Sequence, residues 1–319
     1  MYTIKGKRIV VFGGTGFVGR ELISRLVRAG AYVTLLARHP QRHQEMGVLS
    51  RLRMISGDVR DAACVGQALS GQDAAVNLVG VLDGPPRQLQ ALHVDWPKRL
   101  VESGRELQRI VHVSAANADV DGPSRYLATK GEGEAAIMRS QVPWTIAAPS
   151  VIFGIGDTLF NKFALLLRLS PGAMPVVRPR ARFSPVHVGN VAEAILRSLV
   201  HDDTAGRRLA LGGPETWTMR EMLDYTRRQI GSHKLLVDVP DAFARMQAGA
   251  MGLLPGRPFS PDQYRTLSVD AMADTAALRE LGIEPTAVEA VVPSYIGRDR
   301  RQVRFDQFRQ EAGGAPTDR

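Results

Sequence analysis

The stretch GGTGFVG, Gly13 to Gly19, constrains this chain most, because it joins a run that reads as a buried strand, RIVVFG at 8–13, to a helical pattern ending in ELISRLVRAG at 21–30. Its glycines fall at 13, 16 and 19, the spacing G-x-x-G-x-x-G. Each has a distinct role in a strand–turn–helix unit. Gly13 permits the tight turn, Gly16 lets a pyrophosphate approach the backbone, and Gly19 lets the helix pack on the sheet. The unpaired amides at the head of that helix face the phosphates, where the helix dipole favours negative charge. Gly13, Thr15, Gly16, Phe17, Val18 and Gly19 are therefore the expected dinucleotide cradle. Three glycines alone mark many turns; their place between the first strand and first helix of a βαβ unit makes them specific.

The rest of the first half keeps that rhythm. Short apolar runs at 32–37, 52–56, 74–80, 110–115 and 144–154 alternate with helical patterns, among them one around WPKRLVESGRE. This predicts an α/β fold with a doubly wound parallel sheet. After 154 the pattern changes to a helix and a Pro-rich connector over 155–183, a short strand or turn leading into a helix at 184–200, and a late strand at 207–213. From Thr216 onward it is mainly helical, with a capping-box start at Thr218 and Glu221. The expected division is a dinucleotide-binding domain of 1–154 with 184–213, a smaller, mainly helical substrate or partner region of 155–183 with 214–297, and a basic tail, 298–319.

The end of the second strand bears on which dinucleotide is bound. An NAD site places Asp or Glu there to accept from the ribose hydroxyls, but this chain reads LLARHP, with Ala37 followed by Arg38. An arginine forms charge-assisted bonds to a 2′-phosphate and stacks beside adenine. NADP(H) is accordingly favoured over NAD(H), with His39 and Arg42 near enough in sequence to assist.

A second constellation follows. Ser114 ends the strand IVHVSA, and SRYLATKGEGE at 124–134 opens the next helix with Tyr126 and Lys130 four residues apart. Such a spacing shares one helix face and is commonly surface packing with a solvated ammonium. On a doubly wound sheet, however, the carboxyl ends of the strands form the cofactor crevice, so all three side chains can meet there. A phenol with a reference pKa of about 10 is a poor base near neutrality, and a neighbouring ammonium lowers it. Gly131 and Gly133 lie inside the helix, where each costs about 1 kcal/mol relative to alanine, which points to close approach by another segment.

With GGTGFVG, this arrangement resembles the short-chain dehydrogenase/reductase superfamily, in its extended or atypical branch, whose Rossmann fold it implies. By that resemblance Lys130 holds the nicotinamide ribose, Tyr126 protonates the forming alkoxide during hydride transfer, and Ser114 hydrogen-bonds the carbonyl. Gly57-Asp58-Val59 matches the position where the family's aspartate contacts adenine, and Asn77 to Val81, with Val79 and Gly80, would run beside the adenosine ribose. APSVIFGIGD at 148–157 resembles the element RPSxVxGPGD, by which Pro149 would contact the cofactor, but carries Ala148 and Ile155 for arginine and proline. SPVHVGN has Gly189 and Asn190 where an acidic pair is common.

The resemblance extends over nearly the whole chain. FSPVHVGNVAEAI, LALGGPETWTMREML, LLPGRPFSPDQ and LRELGIEPTAVEAVVPSYI look like bacterial relatives of the NADPH-binding accessory subunit of respiratory complex I, alpha subcomplex subunit nine. Three roles are implied: an NADP(H)-dependent oxidoreductase acting on a carbonyl or quinone-like hydrophobe, an NADPH-stabilised accessory subunit of a membrane respiratory complex, and a sugar-nucleotide epimerase/dehydratase. Against the last, AFARMQAGAMGLLPG at 242–256 is apolar and methionine-rich, suited to helix packing or to a hydrophobic mouth.

Charge and hydropathy limit the partners. The net charge of +9 is scattered apart from IGRDRRQVRFDQFRQ, where Ile296, Val303, Phe305 and Phe308 lie among five arginines. That segment suits a basic amphipathic helix at a membrane surface or partner, or a solvated terminus; nucleic-acid binding, suggested by charge alone, ranks last. No run approaches the ~20 apolar residues of a membrane span, FALLLRL at 163–169 being short and broken by Arg168. Without a cleavable leader pattern, and with Cys64 as the single cysteine, the expectation is a cytoplasmic chain with no internal disulfide, peripheral at most on the inner face of the cytoplasmic membrane. No metal-ligating set is expected.

Overall fold

The computed structural model describes residues 3–241, 243 and 260–296. Strand β1 (Arg8–Phe12) shows how the sheet is built: Ile9 and Val11 point into one core and Val10 and Phe12 into another, so both faces are covered. Around it lie α1 (Phe17–Arg28), β2 (Tyr32–Ala37), β3 (Leu52–Ser56), α2 (Ala62–Leu69), β4 (Ala74–Asn77), α3 (Pro86–Gln90), α4 (Trp96–Ser103), β5 (Arg109–Val113), α5 (Arg125–Met138) and β6 (Trp144–Pro149). With an edge strand at Arg207–Leu211, these form a seven-stranded sheet in the order β3-β2-β1-β4-β5-β6-edge, with every pair parallel. This is the predicted doubly wound α/β sheet. Its strand order reverses between β1 and β4, where such folds hold their ligands.

Beyond β6 come α6 (Phe160–Leu169), α7 (Val188–Ser198) and α8 (Met219–Gln229). One face of the sheet is covered by Leu22, Ile23 and Leu26 of α1 with Val191 and Ile195 of α7. The other packs on Val65 of α2, Trp96 and Leu100 of α4, and Ile137 of α5. A third apolar cluster, away from the sheet, gathers Phe153, Phe160, Leu167, Phe183, Met222 and Val292. Full burial of each such side chain contributes roughly 1.5–3 kcal/mol. Helix α8 begins with the expected capping box, Thr218 Oγ1 accepting from the Glu221 amide and Glu221 Oε2 from the Thr218 amide.

Several features differ from the sequence expectation, and those at β4 and β6 have local reasons. β4 stops at Asn77 rather than running to Gly80, because the Asn77 side chain accepts the Val79 amide and turns the chain. β6 stops at Pro149, after which the Ser150 hydroxyl bonds the carbonyl of Ala271 and accepts the Ser184 amide. Between α3 and α4 a π-helical turn, Ala91–Asp95, widens the helix where periodicity gave no sign of it. The stretch 242–256 apart from Phe243, and the basic tail from 297 onward, lie outside the described residues. Among the described residues no helix is long and apolar enough to cross a membrane.

Candidate functional site

The glycine turn is packed too closely for side chains. Gly13 has φ 81°, and a Cβ there would lie 2.8 Å from the Leu78 carbonyl carbon and 2.9 Å from the Val79 nitrogen, so the turn touches the end of β4. At Gly19 a Cβ would lie 2.4 Å from Cα of Gly14. Gly14 itself has no room, since a Cβ would meet Ile23 Cδ1 at 2.6 Å. Sequence spacing passed over Gly14, although the doubled glycine was its signal. Gly16 is the N-cap of α1, with no side-chain cap and no acidic residue in the first turn. Its amide is used on the Gly13 carbonyl at 3.1 Å, leaving the following amides as the donors available to a ligand. Half-buried Thr15 anchors the turn through its carbonyl, which accepts from Arg20 Nε at 3.2 Å. Val18 packs on the sheet core, while Phe17 reaches across to Gly154, where a Cβ would lie 3.4 Å from its ring. A backbone cradle that any side chain would fill, with an uncapped helix N-terminus above it, fits a dinucleotide diphosphate.

The ends of β2 and β3 form the next wall. Arg38 is exposed. The Asp58 carboxylate is gripped by Arg60, Nε to Oδ1 at 3.0 Å and Nη2 to Oδ2 at 2.7 Å, and this fork with the added charge of Arg38 holds it below the usual carboxylate range. Val59 packs on the α2–α4 side of the sheet and gives its carbonyl to Arg99 Nη1 at 2.8 Å. Gly57 lies over Cys64, whose Sγ would be 2.9 Å from a Cβ. The lone cysteine thus packs under this turn.

At the end of β4 the Asn77 amide is used up inside the protein. Oδ1 accepts from the Val79 amide at 3.0 Å and from Trp96 Nε1 at 2.9 Å, and Nδ2 pairs with His112 Nδ1 at 2.9 Å. Asn77 therefore shapes the loop through half-buried Val79 and exposed Gly80 without presenting its own side chain to the crevice. A Cβ on Gly80 would lie 3.9 Å from Lys130 Nζ. His93, which nothing in the sequence singled out, fastens this loop: its Nε2 accepts the Val81 amide at 3.1 Å and its Nδ1 pairs with Thr129 Oγ1 at 2.9 Å. Burial, helped by the charge of Lys130, pushes this imidazole down to about 3, so it is neutral at physiological pH. A single histidine in a helical run carries no spacing signal.

Lys130 ties the end of β5 to the loop after β4: its Nζ reaches the Val113 carbonyl, next to Ser114 in the chain, and lies near Gly80, in the loop held by the His93 that Tyr126 meets. Ser114 extends the β5–β6 ladder through its amide, bonded to the Ala147 carbonyl at 2.8 Å, and two residues on Ala116 bonds the carbonyl of buried Pro149 at 2.8 Å. The Ser114 Oγ is buried and has no hydrogen-bond partner among the described residues. Lys130 is buried as well, with Nζ donating to the Val113 carbonyl at 2.7 Å, so the solvated-ammonium reading does not hold. The half-buried Tyr126 meets the His93 ring edge-on at 5.7 Å. Burial pushes its phenol up to about 12 and the Lys130 ammonium down to about 8. The expected depression of the phenol by the ammonium is not found; desolvation sets the direction of its shift. Gly131 and Gly133 admit close neighbours: a Cβ on the first would lie 2.4 Å from the Val120 nitrogen, on the second 2.1 Å from the His93 carbonyl oxygen. Arg208 braces the far side, bonding Glu134 Oε2 at 2.8 Å and the carbonyls of Ala115 and Ala116 at 2.9 and 3.1 Å.

Fold and glycine turn define a dinucleotide-binding protein of the Rossmann type. A family of NAD(P)H-binding domains matches residues 13–157. Over 316 residues, 95% of this chain and 82% of the relative, the sequence is 30% identical to the mitochondrial NADH-ubiquinone oxidoreductase 40 kDa subunit of Neurospora crassa. It is also 30% identical over 228 residues, 70% of this chain and 74% of the relative, to a (4-alkanoyl-5-oxo-2,5-dihydrofuran-3-yl)methyl phosphate reductase of Streptomyces griseus. Among solved structures, an epimerase of Methanothermobacter thermautotrophicus superposes with a TM-score of 0.76 at 16% identity, covering 96% of this chain and 95% of that one, a likeness of fold. The chain belongs to the extended, atypical branch of the short-chain dehydrogenase/reductase superfamily, in the group that includes the 40 kDa subunit of NADH-ubiquinone oxidoreductase.

Proposed function

We propose that this protein is an NADP(H)-dependent oxidoreductase that transfers hydride between nicotinamide and a carbonyl or quinone-like hydrophobic substrate. The observation that carries the proposal is the buried Ser114 hydroxyl, unpartnered among the described residues, beside buried Lys130 and the Tyr126 helix, at the carboxyl edge of the sheet. A bound nicotinamide supplies or accepts the hydride. Tyr126, protonated across the physiological range, donates from Oη to the reduced carbonyl oxygen. Ser114 donates to the same oxygen as charge develops there, and the Lys130 ammonium stabilises that charge and binds ribose hydroxyls. Exposed Arg38 at the end of β2, with no acidic residue beside it in LLARHP, supports the 2′-phosphate of NADP(H). An oxidoreductase role is supported by the Streptomyces griseus relative, a reductase whose named compound carries an alkanoyl chain as well as a phosphate.

The whole-chain similarity to a respiratory-complex subunit favours a second reading, an NADPH-stabilised accessory subunit peripheral to a membrane complex. One experiment separates the two. Purified protein is assayed for NADPH oxidation against a panel of carbonyls and quinones, and the native protein is checked for a co-purifying respiratory complex. Turnover supports the enzyme; tight NADPH binding with no turnover and a co-purifying complex overturns it.

A further inference from the structure

The head of α5 is capped from the far end of the chain. Arg125, Tyr126 and Leu127 are its first three residues, and their amides have no partner inside the helix. Ser124, the N-cap residue, takes the third through Oγ, 3.2 Å from the Leu127 amide. One distant carboxylate takes the other two: Asp262 Oδ1 accepts from the Arg125 amide at 2.8 Å and Oδ2 from the Tyr126 amide at 3.1 Å. Thr266, one helical turn beyond Asp262, donates from Oγ1 to Ser124 Oγ at 2.8 Å.

The short helix that carries these groups, Pro261–Thr266, is itself anchored. Ser260 and Gln263 close a capping box at its start. Tyr264, two residues from Asp262 and so on the other side of the helix, is buried beneath the Arg178 guanidinium, 4.6 Å from the ring centroid. The Ser260 hydroxyl donates to Asp83 Oδ1 at 3.0 Å, in the loop whose Gly80 lies beside Lys130. One segment therefore grips both walls of the crevice, the loop after β4 and the first turn of α5.

We infer that Ser260–Thr266 is a strap that sets the first turn of α5 against the loop after β4, and that Asp262 is the positioning residue through which it aligns Tyr126. The inference rests on the oxidoreductase reading of Tyr126. A carboxylate receiving two amides at a helix N-terminus gains charge-assisted bonds and a favourable helix dipole. Removing it leaves both amides of the Tyr126 turn unpaired, and the turn frays. A displacement of about 1 Å at a reacting group costs as much as 10²-fold in rate.

The test uses the full chain as Asp262→Ala, Asp262→Asn and Thr266→Val, with NADPH present. In Asp262→Ala, amide exchange in peptides spanning 124–128 is expected to rise about tenfold or more while the 13–19 turn is unchanged. NADPH affinity should stay within about twofold, and kcat for the best carbonyl or quinone acceptor should fall about tenfold or more at nearly constant KM. Asp262→Asn, which keeps one accepting oxygen, should fall between, and Thr266→Val should move the same readouts less. Independently of turnover, the phenol of Tyr126, isolated as the ultraviolet difference from Tyr126→Phe, should ionise in Asp262→Ala nearer to the ordinary tyrosine value of about 10. Wild-type exchange at 124–128, or accelerated exchange with unchanged kcat and phenol titration, overturns the inference. If the wild type reduces no acceptor, the oxidoreductase reading fails by itself, and exchange with phenol titration still decides whether Asp262 positions Tyr126.

Discussion

Lys130 donates its ammonium to the carbonyl of Val113 across 2.7 Å from a side chain that folding removes from water. Burial pulls its pKa down to about 8 from 10.5, while Glu134 acts in the opposite direction. Between these values the unfolded chain holds a proton that the folded chain has released, so stability should rise as pH increases through that window. Tyr126 opposes this above pH 10, where its folded phenol, pushed up to about 12, keeps a proton that the unfolded chain loses. Urea unfolding of wild type and Lys130→Met from pH 7 to 10 reads the difference. The wild-type slope should exceed that of the variant, and equal slopes would place Lys130 in contact with water.

Tyr126→Phe removes the proton donor and keeps the ring that lies edge-on to His93. General-acid catalysis contributes about 10²–10⁴-fold, so NADPH oxidation with any accepted substrate should fall by that factor while nucleotide affinity stays unchanged. Fluorescence titration with NADPH, run beside the rate assay, checks both. A variant that keeps its rate would remove Tyr126 from the chemistry.

The parallel sheet and the glycine turn were legible because their determinants are local: short apolar runs between helical patterns, and glycines in sequence between one strand and one helix. The four-residue spacing of Tyr126 and Lys130 looks the same on a solvated face, and only the neighbouring Gly131 and Gly133 hinted at close approach without saying by what. What decides the matter is Gly133 against His93 and Gly131 against Val120, contacts between segments distant in sequence. His93 and Asp262 were missed for the same reason. Each acts through partners on other elements, Val81 and Thr129 for one, Arg125 and Tyr126 for the other, and neither has a spacing to announce it. Asn77 shows the converse, since its place in the motif was visible but its use on Val79, Trp96 and His112 was not.

Arg38→Ala tests the choice of dinucleotide. An exposed guanidinium whose charge meets the 2′-phosphate should matter far more for NADPH than for NADH, which shares only the adenine it stacks beside. A hydrogen bond between charged partners contributes about 1.5–3 kcal/mol, so NADPH affinity should weaken roughly ten- to hundredfold and NADH affinity far less. Asp58, already held by Arg60, should keep its place. Equal weakening of both nucleotides would assign Arg38 to a feature they share.

Glycine substitutions separate cradle from scaffold. Gly6 and Gly13 share a positive φ, 80° and 81°, where alanine costs about 1–2 kcal/mol. Their surroundings differ. A Cβ on Gly6 meets nothing within 4 Å, whereas one on Gly13 comes within 2.8 Å of Leu78 backbone at the point where the crevice opens. At Gly19, where the backbone is unstrained, a Cβ 2.4 Å from Cα of Gly14 has to lift α1 off the turn. Gly6→Ala should therefore lower stability by about 1–2 kcal/mol and leave nucleotide affinity intact. The clash should cost ~1–3 kcal/mol in Gly19→Ala and as much again beyond the strain in Gly13→Ala, and both should lose most of the affinity, since the displaced amides are the proposed phosphate donors. Thermal unfolding with and without NADPH reads both effects: the ligand-induced rise in Tm should persist in Gly6→Ala and vanish in the other two. A full rise in Gly19→Ala would mean that the phosphates are held elsewhere than at the head of α1.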